Sequence, residues 1–362
     1  MSSDLTATVA IKPDAPARDS ETPELDQLTV KPQDRYKFIR SIGFGGMKGV
    51  LLVHDRDTDR DVAMAIMPDF RERPKSDLER FVREAKVTAK LEHPNIISIY
   101  DIGIDRSGSP YFTMQYLRGM SLDTLLRRIA QGDSRVEKYK LDRLLMIFLR
   151  ICNAVDFAHS RHVCHLDLKP ANINIGDFGE VQVIDWGLAR ATTQEGVLTG
   201  TRSENNRGTP GFLAPELFDA DPARKADLRA DVFSLGAILY AILALKAPLS
   251  GLPMEETLKR TAAGAIPFPS SIANHNRKIP AALEAVAMKA LSPNPDDRYP
   301  NVAELKAEIR AYNAGFATQA EHATTPQKLN LFFWRNYLYI TIGALLAVVT
   351  WLIYRIITLK HF

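Results

Sequence analysis

Cysteine is nearly absent: Cys152 and Cys164 are the only two in 362 residues. Both sit in apolar stretches, which rules out a disulfide framework and any cysteine spacing typical of metal ligands. A reducing compartment is therefore expected. An excess of one charge is also missing. Against 46 Lys and Arg stand 43 Asp and Glu, and a net charge of +3 is too small to imply a nucleic-acid partner. There is no internal repeat. Residues 1–34 show no basic-plus-apolar leader; they are rich in Ser, Thr, Pro, Asp and Glu and are expected to form a disordered tail. Before residue 336 no hydrophobic run is long enough to cross a bilayer. What remains is an ordinary globular composition, 46% hydrophobic and 25% charged, enough for one large domain or two smaller ones plus tails.

The one long uncharged run is residues 336–354, 19 residues between Arg335 and Arg355. As a helix rising about 1.5 Å per residue it spans roughly the 30 Å of a bilayer core. Aromatics stand at both ends, Trp334, Tyr337 and Tyr339 at one and Trp351 and Tyr354 at the other, as an interfacial belt requires. The alternative is a buried C-terminal helix of a soluble oligomer; length and both belts favour a single-pass helix in the lipid bilayer. Gly343 and Ala347 make a small-xxx-small pair, which leaves self-association through this helix open. Flanking charge does not fix the orientation, since Lys328 and Arg335 precede the run and Arg355 and Lys360 follow it.

Ahead of that run the chain has two characters. Residues 35–42, 50–54, 61–67, 97–103 and 111–116 read as strands, with one helix from a Ser76-Asp77-Leu78-Glu79 capping box to about residue 91. From Ser121 onward the pattern is helical. Leu141, Leu144, Leu145, Phe148, Leu149, Cys152 and Val155 follow a 3.6-residue period, and further helices are expected over 226–245, 254–263, 281–290 and 302–314. A small β-rich lobe (35–116) thus precedes a larger α-rich lobe (117–314). A polar linker (315–335) leads to the membrane segment (336–356) and a short tail (357–362).

Several motifs come in a fixed order: Gly43-Phe44-Gly45-Gly46-Met47-Lys48-Gly49-Val50, then Val62-Ala63-Met64-Ala65, then Glu84 on the predicted helix. His165-Leu166-Asp167-Leu168-Lys169-Pro170-Ala171-Asn172, Asp185-Trp186-Gly187 and Gly208-Thr209-Pro210-Gly211-Phe212-Leu213-Ala214-Pro215-Glu216 follow. Over roughly residues 35–313 this resembles the eukaryotic-like Ser/Thr protein kinases of bacteria. The resemblance implies an α+β, bilobal protein-kinase fold with one C-terminal transmembrane helix. It also implies ATP as phosphoryl donor, Mg²⁺ or Mn²⁺ as metal, and protein Ser or Thr hydroxyls as acceptors. Asp167 would be the catalytic base, Lys169 would steady the transferred group, and Thr209 would help position the acceptor. Asn172 and Asp185 would hold the metal. Gly43, Gly45, Gly46, Val50 and Ala63 would surround the nucleotide, with Met114 as gatekeeper and Gln115 and Leu117 in the hinge. Glu216 and Arg298 would form a buried ion pair, and Asp231 would anchor the catalytic-loop backbone. ATP dependence implies a cytoplasmic kinase domain at the cell membrane.

One position breaks the pattern. Ala65 stands where such kinases carry a phosphate-binding lysine, while Lys48 stands in the glycine-rich loop. Residues two apart on a strand share a face, so Lys48 is expected to point into the cleft covered by Val50, and Ala65 into the same region. A lysine stem of roughly 6 Å compares with two strand steps of about 3.3 Å. Lys48 can thus fill the place left by Ala65, with Glu84 as its carboxylate partner. The arrangement resembles the with-no-lysine (WNK) kinases at Gly43, Gly45, Lys48 and Val50. The opposing reading is a solvated loop lysine in an inactive domain, a pseudokinase serving as a scaffold. Leu166 replaces the arginine that usually precedes the base, which puts phosphorylation switching in doubt, although Thr192, Thr193, Thr199, Thr201 and Ser203 offer hydroxyls for autophosphorylation. Asn174 puts a polar group where an apolar adenine floor is usual. The intact Gly208–Glu216 segment argues against a small-molecule acceptor.

Overall fold

The computed structural model describes residues 34–44, 48–199, 209–218, 226–273 and 278–359. The expected disordered tail up to residue 33, and Gly45, Gly46, Thr201 and Ser203, lie outside these. The N-terminal lobe is a five-stranded antiparallel sheet of β1 (Tyr36–Phe44), β2 (Gly49–Asp55), β3 (Arg60–Ile66), β4 (Ile99–Ile104) and β5 (Pro110–Gln115). Its order is β1-β2-β3-β5-β4. Helix α1 (Lys75–Ala89) buries Phe81, Glu84, Ala85 and Thr88 along one face, the i, i+3, i+4, i+7 spacing of an amphipathic helix. Phe81 meets Phe112 of β5 with ring centroids 4.9 Å apart. The capping box at Ser76 does not form. Pro74 occupies the N-cap with no side-chain cap, and its carbonyl accepts the Asp77 N–H at 2.9 Å, so Ser76 is already in the first turn. The proline's fixed φ starts the helix earlier than the box would.

The C-terminal lobe begins with β6 (Gly119–Ser121), whose Ser121 hydroxyl caps α2 (Leu122–Ala130) by accepting from Thr124 N. Helix α3 (Leu141–Ser160) follows, then β7 (Val163–Cys164), β8 (Ile173–Gly176), β9 (Val181–Val183) and β10 (Arg190–Ala191). Strands β6, β8 and β9 form one small sheet and β7 and β10 another. Gly119 is required where the chain enters β6: its φ is 150°, and a Cβ there would stand 2.0 Å from the Ile175 carbonyl oxygen.

The remaining helices of this lobe are α4 (Pro215–Phe218), α5 (Arg229–Ala244), α6 (Met254–Ala262), α7 (Pro269–Ile272), α8 (Ala281–Ala290) and α9 (Val302–Asn313). Helix α5 is apolar around its whole circumference and buried along it, as a central helix should be. Gly236 lets α8 approach it, since a Cβ there would lie 2.6 Å from the Ala290 methyl. Arg298 meets Glu216 in two parallel bonds of 2.7 Å, and its other donors reach the Ser292, Arg229 and Pro293 carbonyls. Both side chains are fully buried.

Residues 315–335 are not a free polar linker. Gln319 N donates to Glu308 of α9 at 2.8 Å, and Thr318 and Ala323 are buried. Thr324 N donates to the Gln327 side chain at 2.7 Å, capping α10 (Thr325–Leu359), which starts eleven residues before the apolar run. The Arg335 guanidinium lies 3.9 Å from the Phe316 ring centre, tying this helix to the segment after α9. The stretch Arg335–Ile353 has a mean hydropathy of 1.8 and no burial, the single helix among the described residues long and apolar enough to cross a membrane. Tyr337, Tyr339 and Trp351 are exposed on it; the side chains of Trp334 and Tyr354 lie outside the described residues.

Removing one partner of a buried ion pair strands the other charge. Arg298→Leu is expected to cost about 3–5 kcal/mol of stability, read by urea unfolding of the detergent-solubilised chain. A loss below about 1 kcal/mol contradicts a bracing role for the pair.

Candidate active site

The lobes meet around a cleft of about 260 Å³. Its outer part is apolar, lined by Ile42, Val50, Ala63, Met114 and Leu117; its inner end carries Lys48, Glu84, Asn172 and Asp185. The sheet register explains the apolar roof. Val50 pairs with both Gly43 and Ala65, and Ala63 pairs with Met114. Directly opposed residues share a face, so these side chains converge. Ala65 itself is fully buried, packed with Phe81, Ala85 and Phe112.

Lys48 immediately precedes β2. Its ammonium donates to Glu84 Oε1, and to Asp185 Oδ1 at 3.1 Å. Burial pulls this ammonium toward neutrality, but Glu84 and Asp185 outweigh it and the net direction of its pKa is upward. Burial also raises both carboxyls. For Asp185 the Lys48 charge wins and the group is held below its usual range, whereas Glu84 stays above its own, with Asp185 adding to the effect of burial. Two carboxylates and one ammonium leave this cluster short of positive charge.

The catalytic-loop residues face it from the larger lobe. Asp167 Oδ2 accepts from Lys169 Nζ at 2.7 Å and from Asn172 Nδ2 at 3.0 Å. Asn172 spends its second amide hydrogen on the Asp167 carbonyl at 2.8 Å. That leaves Asp167 Oδ1 and the Asn172 side-chain oxygen as the open acceptors. Thr209 is described, but no hydrogen bond joins it to Asp167; its carbonyl accepts from Phe212 N at 3.1 Å. Gln115 and Leu117 line the outer edge of the cleft. Asn174 Nδ2 points at the Leu117 carbonyl from 3.4 Å, and Gln182 Nε2 donates to Gln115 Oε1 at 2.6 Å.

Two residues here have left-handed backbone, Leu166 with φ 65° and Asp185 with φ 64°, a conformation disfavoured for such side chains. Asp231 at the start of α5 holds the first of them. Its carboxylate accepts from the backbone N–H of His165 at 2.8 Å and of Leu166 at 2.9 Å, and lies 2.8 Å from His159 Nε2. The Leu166 side chain joins the apolar core of the larger lobe instead of facing a phosphorylated loop. His165 packs on Trp186 with centroids 4.5 Å apart.

Several contacts had no local signal in the sequence. Arg80 Nε reaches from α1 to the Gly187 carbonyl at 3.1 Å. His159, Cys164 and Asp231 come together as the single cluster with metal-ligand spacing among the described residues. Because Asp231 is already occupied by two backbone N–H groups and His159, the cluster reads as a loop anchor.

Comparison with known proteins agrees with this geometry. The protein kinase domain family matches residues 36–308, and the chain belongs to the protein kinase family. Among its relatives, the serine/threonine-protein kinase PknD of Chlamydia felis is 38% identical over 299 residues, covering 78% of this chain and 31% of the relative. The PknD proteins of Chlamydia pneumoniae and Protochlamydia amoebophila are 36% and 35% identical, covering 78% of this chain and 31% and 30% of their own lengths. The chain therefore spans about a third of these relatives.

Asp231 gives a pH prediction. Burial raises its carboxyl, but the bond to His159 and the charges of His159 and His165 reverse this, and the group is held below the usual range for an aspartate. A carboxyl lowered on folding adds stability that is complete above its unfolded pKa and is lost as pH falls through the folded one. Asp231→Asn is thus expected to be less stable than wild type at pH 7 by about 1.5–3 kcal/mol. The difference should shrink below about pH 4. Urea unfolding between pH 7 and 3 reads this; a pH-independent difference contradicts it.

Proposed function

We propose that this chain is a membrane-anchored Ser/Thr protein kinase in which Lys48 does the work of the lysine missing at position 65. The observation that carries the proposal is the Lys48 ammonium held between Glu84 and Asp185 at the inner end of an apolar cleft. Adenine would enter between Val50, Ala63, Met114 and Leu117, against the hinge backbone of Gln115 and Leu117. The triphosphate would then point toward Lys48 and the metal ligands, with Gly43 of the loop beside it. The donor set fits a hard divalent cation. Asp185 offers a carboxylate depressed below its ordinary pKa, Asn172 an amide oxygen, and the cluster lacks positive charge. Bound Mg²⁺ or Mn²⁺ would neutralise the phosphates and the charge developing on the leaving group.

The chain's own residues supply the rest. Lys48 is kept charged and aimed by Glu84, and balances negative charge on the phosphates. Asp167 uses its open Oδ1 to orient the acceptor hydroxyl and take its proton. The acceptor oxygen bonds to the γ-phosphorus as the bridging P–O bond breaks, its electrons leaving with ADP. Lys169 would steady the phosphoryl group in transit, and Thr209 would help position the acceptor. The Lys two residues after the base, and the names of the relatives at 35–38% identity, favour Ser and Thr acceptors.

A second reading, a scaffold that binds partners without transferring phosphate, draws on Asn174. Its amide beneath the adenine site points at a hinge carbonyl, where apolar surface is usual. Lys48→Met separates the readings. In a radiolabelled transfer assay on the full chain, kcat/KM should fall about 10²–10³-fold, with a similar or larger loss in Asp167→Asn and a folded chain in both variants by circular dichroism. Equal transfer by Lys48→Met and wild type contradicts the role of Lys48. No transfer by wild type with Mg²⁺ or Mn²⁺ supports the scaffold.

Anchoring rests on the uncharged stretch of α10. Deleting residues 336–359 should move the protein from the membrane pellet to the supernatant on fractionation. Continued pelleting, resistant to high salt, contradicts a spanning helix.

A further inference from the structure

A second cavity, of about 310 Å³, lies on the larger lobe between the N-terminal half of α3 and the β8–β9 turn. Its floor is apolar: Ile147 and Ile175 are buried beneath it. Two large apolar side chains stand at its edge, Met146 with 52% and Phe178 with 95% of its surface open to solvent. Phe178 sits in the turn just before Gly179, whose φ is 90°. Its ring adds nothing to the packing of the lobe, and its burial is available to a partner.

The same groove carries three cations, Lys138, Arg143 and Arg150, against the single carboxylate of Asp177. Lys138 Nζ and Arg143 Cζ lie over the Tyr139 ring at 5.3 and 5.5 Å, and Arg150 donates to the Gly179 carbonyl. Among the described residues none of the three forms an ion pair. Other surface arginines of this lobe do: Arg127 with Asp123, Arg135 with Asp133, and Arg260 with Glu256. Uncompensated positive charge beside an exposed aromatic and a recessed apolar floor defines a ligand: an extended chain carrying acids next to a large apolar side chain. The recessed floor favours a peptide over a flat lipid surface.

We propose that this groove is a docking site for an acidic segment of a protein partner. A large apolar side chain of that segment seats between Met146 and Phe178, and its carboxylates meet Lys138, Arg143 and Arg150. Strand β8, which contributes Ile175 to the floor, begins at Ile173, the residue after Asn172. A docked segment is thus held at a fixed place relative to the catalytic loop. A role in substrate capture rests on the kinase reading; the binding itself does not.

The test is fluorescence anisotropy on the full detergent-solubilised chain without ATP, so a loss of phosphate transfer leaves the result interpretable. The probe is a labelled peptide of four acidic residues followed by leucine, alanine and phenylalanine. The wild type should bind it. Arg143→Glu and Phe178→Ser should each weaken binding at least tenfold, Lys246→Glu, at an exposed lysine outside the groove, should leave it unchanged, and a probe with lysines for the acids should not bind. Absence of binding, or equal binding by the groove variants, overturns the proposal. If the probe binds only after residues 1–33 are deleted, the occupant is the chain's own acidic N-terminal segment, and the partner reading falls.

Discussion

Lys48 joins three parts of the molecule at one charged atom. Its ammonium meets Glu84 on α1 and Asp185 at the head of the Asp-Trp-Gly segment, and it belongs itself to the loop that covers the cleft. Burying two carboxylates near each other is unfavourable unless a cation stands between them. The position of α1 against the larger lobe therefore depends on this lysine. Arg80 adds a second tie between the same two elements by way of the Gly187 carbonyl. Without Lys48 the burial of Glu84, already raised in pKa, loses its main compensation and keeps only the weaker field of Arg80.

The larger lobe has its own fixed point. Asp231 holds the backbone of His165 and Leu166 in a turn that Leu166 adopts only with left-handed dihedrals. That turn aims Asp167, and Asp167 in turn gathers Lys169 and Asn172. The active-site geometry thus grows from a rigid core helix through one buried carboxylate, while the smaller lobe adds its charge through a loop. A lysine on a loop is less constrained than one on a strand, so its position depends more on the carboxylates it meets.

Much of this was legible in the sequence because it is local. Strand alternation put Lys48, Val50 and Ala65 on one face, and helical spacing put Glu84 beside Phe81 and Thr88. What was illegible depends on long-range contact or on competition between local signals. Pro74 overrode the capping box at Ser76. The segment after α9 looked polar and free, yet Gln319 finds Glu308 and Phe316 finds Arg335 once the helices are in place. Ala65 was expected to leave a space for Lys48; side chains from α1 and β5, distant in sequence, also pack around it. Cys164 carried no sign that it would lie against His159 and Asp231.

The most direct measurement is a crystal structure of the chain with Mg²⁺ and a non-hydrolysable ATP analogue. Lys48 Nζ is predicted to lie within about 3 Å of a phosphate oxygen while still bonded to Glu84. A Lys48 side chain turned to solvent, with the phosphates held by other groups, would contradict the central role given to this residue.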